Sequence, residues 1–567
     1  MSRPGERQGW SSRLAGLALG IGLVIVVGWP LSATVIEALW ASSSTPDQSG
    51  ASQVLIGDPA AILLQDSPTL PRPLRLAIAS FFLTAAVVSL TLPIGVGLAL
   101  VLARTDLWGR RVMLGLILLT AFVPLPLHAT AWLGAFGNAG RSQAMGSRPI
   151  LVGWWGAVVV HALAALPWVV LITTLGLRAV ERELEESALL DLHPWRVLFA
   201  VSLRRSMAMV LAAALATAVL TSGDMTITDL LQVRSYAEEA YLAYSLGQGP
   251  GGAAAVALPL FVVLGGLVLI VGRALVAFDP ARLASPRGDA LSIRLGRARR
   301  PLGIGVWMLL GNTLALPLYA LIWRAGRVGG RAALGVGPTW SIGGLWGTLG
   351  QAAAEVAGPL TSTLIWCGLA ALLATSLAWG LVWASRGSRA WTPVLAAVLV
   401  VTLAAPGPVV GMALVLAYRG VSAVYDSSIM IILAETARSL PYAILLLWPF
   451  AWAFPQDYLD AAAIDGLGPP SRAWRVVLPL SAPPLAAAWV VCLVIGLGEL
   501  AATNLATPPG TPPLSVMLWG LLHTGVESHL AGVALVILVV ITLLGLAVAG
   551  LLGLFGGQGS KSRFPPS

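Results

Sequence analysis

Five ionisable residues set in otherwise apolar runs are the positions where this sequence could do chemistry. Glu435 and Arg438 stand at i,i+3 within one run, where they can pair on a single helix face. His161 occupies the equivalent place in the first half of the chain. Asp224 and Glu499 form a second related pair, each directly after a glycine, Gly223 and Gly498. Charges at bilayer depth are costly and usually face a bundle interior or a cavity. These side chains therefore either line a path between helices or lock helices together. An acidic pair could flank a cation route, or it could cap helix ends in contact with water. Pro124, Pro126, Pro406 and Pro408 break two of the same runs, as expected where helices bend around a cavity.

The groups that catalysis would need are missing. Lys561 is the sole lysine and is preceded by Ser560, so no phosphate-binding G-x-x-x-x-G-K-[ST] loop can be built. There is no His-Glu-x-x-His motif and no G-x-S-x-G elbow. His128, His161, His193, His523 and His529 are scattered without metal-ligand spacing, and Cys367 and Cys492 both fall inside apolar runs. No catalytic residue, cofactor or metal site is expected in this chain.

Composition fixes the class. Of 567 residues, 57% are hydrophobic and 10% charged, and the mean hydropathy is +0.85. A soluble domain carries roughly 25% charged residues, so lipid must be the solvent here. Continuous apolar runs rather than alternating ten-residue strands predict an all-α polytopic membrane protein. Hydropathy places about twelve spans, near 14–37, 74–102, 112–136, 150–177, 207–222 and 252–276, then 302–323, 359–385, 391–417, 428–452, 483–504 and 530–555. With the amino terminus inside, inner loops hold 24 Lys/Arg and outer loops 9, Arg438 being the last of the 34. That asymmetry places both termini in the cytoplasm and the chain in the inner membrane. The net charge of +9 is then topological, and no nucleic-acid partner is implied. The first run follows Arg3, Arg7 and Arg13 but is too long for a secretory signal, which predicts an uncleaved span.

The chain repeats itself across a polar, basic centre. The first half takes 1–285, a basic cytoplasmic linker 286–300, and the second half 301–567. The differences 435−161, 441−167, 460−186 and 465−191 all equal 274, and 469−194, 474−199, 478−203 and 499−224 all equal 275. Duplication is the economical explanation, and internal repeats are common in transport proteins.

The repeated polar loops, VERELEESALLDLHPWRVLFAVSLR at 180–204 and QDYLDAAAIDGLGPPSRAWRVVLPL at 456–480, both face the cytoplasm in this topology. In the second, a helix-forming stretch meets Gly466, Gly468, Pro469 and Pro470. Ser471 is placed to cap the next segment, and Pro479 to end it. Such a knob suits a groove on a cytoplasmic partner.

This loop resembles the "EAA" loop of binding-protein-dependent ABC importer permeases. The match carries onto Asp460, Ala461, Ala462, Asp465, Gly466, Leu478 and Pro479 in the second copy (456–482). In the first copy (180–206) it carries onto Glu186, Ser187, Ala188, Asp191, Phe199 and Leu203, with Leu192 in place of the glycine and Arg204 in place of the proline. The resemblance implies that each loop docks one of two ATP-binding cassette ATPase subunits, and that a periplasmic or lipid-anchored binding protein delivers the solute. The fused double arrangement resembles ferric-iron and thiamine importer permeases, with ferric iron favoured as cargo. From the residues alone, a secondary transporter built from repeats and a structural membrane scaffold remain open.

Overall fold

A computed structural model describes residues 10–42, 72–138, 141, 146–247, 249–277, 292–329, 337–388, 390–510, 512–524 and 527–556. Arg3, Arg7, Arg282, Arg287, Lys561 and positions 286–291 of the linker lie outside the described residues.

The protein is a bundle of helices, because only a helix satisfies every backbone donor and acceptor within one lipid-embedded segment. In the first half α1 (Trp10–Leu23) continues through a π-helical turn into α2 (Trp29–Ser42). There follow α3 (Arg72–Arg104), α4 (Arg110–Ala121), α5 (Leu125–Phe136), α6 (Gly153–Arg178), α7 (Arg182–Ala188), α8 (Pro194–Val197) and α9 (Met207–Gly223). The half closes with α10 (Thr226–Leu230), α11 (Tyr236–Ser245) and α12 (Pro250–Ala277). The second half begins with α13 (Arg299–Ala325) and the hairpin β1 (Arg327–Val328) and β2 (Thr339–Trp340). It continues with α14 (Ile342–Gly387), α15 (Trp391–Ala404), α16 (Gly407–Tyr418), α17 (Ser422–Tyr425), α18 (Ile429–Ala453), α19 (Gln456–Ile464), α20 (Pro469–Arg472) and α21 (Leu478–Leu480). The last helices are α22 (Ala482–Gly498), α23 (Thr503–Ala506), α24 (Leu514–Thr524) and α25 (Glu527–Gly556).

Among the described residues, eight helices are long and apolar enough to cross a membrane, and the number of crossings rises to as many as twelve when each of four bent helix pairs is counted as one span. The pairs α4/α5 and α15/α16 bend by 103° and 109°, at Pro124-Leu125-Pro126 and Pro406-Gly407-Pro408. Each kink follows from proline, which removes a donor and clashes with the preceding turn. The repeat extends into this region at a new offset, since 386−104, 406−124 and 408−126 all equal 282. The helix expected over 359–385 is instead the 46-residue α14, roughly 69 Å long at 1.5 Å per residue. The span expected over 483–504 stops at Gly498, which leaves Glu499 beyond its end.

The halves do not pack as separate bodies. The first span of each half reaches across to the other. Tyr418 of α16 donates to the Ile25 carbonyl (2.8 Å), and a Cβ on Gly22 would collide with Leu377 of α14. Reciprocally, Trp307 of α13 packs on Trp108, with ring centroids 5.8 Å apart, and Arg324 lies against Gly134 of α5. The linker's described end is also held: Ile293 forms a parallel bridge with Thr105, and Asp106 accepts from the Leu295 amide (2.9 Å).

Candidate functional site

The intramembrane polar residues gather where α9 and α22 end. Asp224 Oδ1 and Oδ2 accept the Thr226 and Ile227 amides (3.0 and 2.8 Å), capping α10. Glu499 Oε1 accepts the Ala502 amide (3.0 Å), ahead of α23. Ile227 and Ala502 are equivalent at offset 275, as are Thr228 and Thr503, whose hydroxyls donate to the Asp224 and Glu499 carbonyls. The pseudo-symmetry thus survives at the level of single hydrogen bonds.

Asp224 is buried and Glu499 half-buried, and each lies beside a basic side chain. His161 donates through Nδ1 to the Ala157 carbonyl (2.8 Å). Its Nε2 lies 3.2 Å from Asp224 Oδ2, within ion-pair reach but off the line of a good hydrogen bond. In the second half Glu435 occupies the His161 position, and the base comes from one turn later. Arg438 Nε pairs with Glu499 Oε2 (3.1 Å), while Nη1 donates to the Ala405 carbonyl (3.0 Å), a group exposed by the break before Pro406. The i,i+3 geometry expected to pair Glu435 with Arg438 is not used. Helix spacing allows that contact, but the guanidinium satisfies an acid and a broken helix end at once. Among the described residues, Glu435 Oε2 is buried against Gly496 and Cys367 without a hydrogen-bond partner.

On this face, opposite the repeated polar loops, the halves close on each other. Asn504 Nδ2 donates to the Tyr241 hydroxyl (3.0 Å), His523 Nε2 meets Asp229 Oδ2 (2.8 Å), and Trp519 packs edge-on against Tyr241. Met225 and Leu500 share one apolar cluster beneath them. Pro124 of the first half seats against Gly498 of the second, where a Cβ would fall 2.7 Å from the ring. Beside this seam the half-buried Glu238 carboxyl is pushed up to about 7 by burial, against the pull of the Ser235 amide in its capping box.

The repeated polar loops lie at the other face. In the second, α19 ends in a Schellman turn: Leu467 donates to the Ala462 carbonyl (3.0 Å) and Gly466 to Ala463 (3.1 Å), with Gly466 at φ +77°. The next helix starts at Pro469 with Gly468 as its N-cap, not at Ser471, because proline's fixed φ suits the first helical position. Nor does Pro479 end it. The helix runs through Pro479 and bends by 69° at Ser481, after a π-helical turn over Ala473–Val477. The first loop bends by 66° at the equivalent Ser206, after a π-helical turn over Leu198–Leu203. The π turns begin at equivalent residues, Leu198 and Ala473.

Most residues of the EAA match are displayed. Glu186, Ser187, Asp191 and Phe199 are exposed, as are Asp460, Ala461, Asp465, Gly466 and Pro479. Ala188, Leu203 and Leu478 are half-buried, and Ala462 packs inward. Glu186 pairs only with Arg182 on its own helix (2.6 Å). The structure adds residues the motif did not single out. Leu190 and Ile464, equivalent at offset 274, are each 87% exposed, and Trp474, the counterpart of Phe199, is 73% exposed. The signal was present in the sequence as large apolar residues recurring at matched positions in polar loops. Glu185, next to the expected Glu186, is the acid that faces inward. It meets Arg104 at 2.8 Å, and burial pushes its carboxyl above the ordinary carboxylate range despite Ser202 and Arg104.

The family description "Binding-protein-dependent transport system inner membrane component" matches residues 92–281 and again 376–556, about two thirds of the chain. The chain belongs to that family. The two matches mark two permease units fused in one polypeptide, and each contains one of the repeated polar loops. Curated relatives similar to it include the "Molybdenum transport system permease protein ModB" of Mycobacterium bovis and that of Mycobacterium tuberculosis. Each is 36% identical over 84 residues, which is 15% of this chain. The matched stretch spans 31% of those relatives' length.

Proposed function

We propose that this permease moves a small solute across the inner membrane by alternating access, driven by two ATP-binding cassette subunits seated on its two loops. The observation that carries this reading is the pair of matched loops. Each presents an exposed apolar pair, Leu190 with Phe199 and Ile464 with Trp474, and each runs through a π turn and a bend of almost 70° into a span. A partner that pushes on such a loop moves the span behind it. The loops and both termini then face the cytoplasm, and the closed seam faces the binding protein. ATP hydrolysis belongs to the separate subunits.

The cargo that fits best is a small oxyanion. The acids that could have drawn a cation, Asp224 and Glu499, are each matched by His161 or Arg438, and the relatives above are named for molybdenum transport. Ferric iron is the second reading, favoured by the unpaired Glu435 Oε2. Uptake into proteoliposomes holding the ATPase complex, with its binding protein supplied, separates these readings. Labelled molybdate is expected to accumulate only with ATP on the loop side and to ignore ionophores. Accumulation of ferric citrate instead would reassign the cargo, and gradient-driven uptake without ATP would make the chain a secondary transporter.

A further inference from the structure

The two docking loops reach one shape by different means. The second turns on Gly466, whereas the first contains no residue with positive φ and carries Leu192 and Arg204 where the second has a glycine and Pro479. What the first has instead is a buried ionic cluster. Arg104, the last residue of α3, and Glu185 of α7 have no side-chain exposure. Arg104 Nη1 donates to Glu185 Oε2 (2.8 Å), Ser202 Oγ donates to Oε1 (2.6 Å), and Arg104 Nη2 donates to the Leu177 carbonyl. One guanidinium thereby ties together the ends of α3 and α6, the docking helix α7, and the π turn behind it. The Arg104 backbone is itself stapled by the linker, since its carbonyl accepts the Ile293 amide (2.9 Å).

The second half lacks this cluster. Leu459 stands at the Glu185 position, and Arg386, the counterpart of Arg104, reaches the Phe454 carbonyl (2.7 Å) and Gln456 Oε1 (3.4 Å). Its Nη1 has no hydrogen-bond partner among the described residues.

We propose that Arg104, Glu185 and Ser202 form a strut that positions the first loop for its ATPase subunit, in the role that Gly466 has in the second. The assignment rests on the reading of both loops as ATPase docks. Removing one member of a buried pair leaves an uncompensated charge and is far more disruptive than losing an exposed pair. The local consequence is an α7 free to leave α3 and α6, with the second loop untouched.

The test reads the loops separately. Cys367 and Cys492 are replaced by alanine, a cysteine is placed at Leu190 or Ile464, and a benzophenone maleimide there captures the ATPase subunit that purifies with the chain. Glu185→Leu is expected to lower capture from 190 about tenfold or more, and Ser202→Ala about threefold, while capture from 464 stays at the parent level. Unchanged capture from 190 would overturn the proposal. So would an equal fall at both positions in Ser202→Ala, which assigns the cluster to folding of the whole chain. Absence of capture at both positions in the parent would overturn the docking reading itself, and the strut with it.

Discussion

Cross-linking position 229 to position 523 is expected to reduce uptake to the vesicle background while leaving ATPase binding intact. Asp229 and His523 come from different halves and meet at 2.8 Å, beside the Asn504–Tyr241 bond and the Trp519–Tyr241 contact. These groups close the face opposite the repeated loops. Alternating access requires that face to open, so the contacts must part once per cycle. A covalent tie there blocks the cycle whatever happens at the loops. The measurement uses Asp229→Cys with His523→Cys, joined by a short bis-methanethiosulfonate in a background without Cys367 and Cys492. Uptake should fall on cross-linking and return when reductant cleaves the linker. Normal uptake by the linked protein would show that the seam is static and that solute passes elsewhere.

The second large effect is expected from Gly466→Leu. The residue sits at φ +77°, and apart from its chain neighbours no atom lies within 4 Å of a Cβ built there, so a side chain starts into open space. Its cost is conformational. An L-residue in the left-handed region pays roughly 1–2 kcal/mol, which the turn recovers by unwinding the Leu467–Ala462 and Gly466–Ala463 bonds. Uptake should fall about tenfold at normal protein abundance, in line with a cost near 1.4 kcal/mol. Gly466→Asn should retain most of the activity, because asparagine tolerates this conformation. Equal loss in both variants would locate the effect in the side chain rather than the backbone.

The spans were legible because hydropathy reports length and polarity, which lipid enforces residue by residue. The loops were legible because duplication repeats their register at offsets of 274 and 275. Partners across the bundle were not. Glu435 and Arg438 share a helix face, yet Arg438 serves Glu499 and the Ala405 carbonyl, a choice that depends on where α15 breaks. Glu185 and Glu186 are neighbours in one acidic run, and only the position of Arg104, 81 residues away, decides which is buried. The exchange of first spans between halves was equally hidden, since periodicity names an apolar face but not what covers it. Pro479 shows the limit of residue rules: proline here sits past a π turn that relieves its clash, so the helix continues to Ser481.

Two working ATPase docks on this single chain would hold two ATPase subunits at once. Native mass measurement of the detergent-solubilised complex, purified through a tag on this chain, tests this most directly. One copy of the 58.8 kDa chain is expected with two ATPase subunits, falling to one subunit when Ile464 and Trp474 are both changed to Asp, and likewise for Leu190 and Phe199. A complex that never exceeds one ATPase subunit, or one indifferent to these changes, would contradict it.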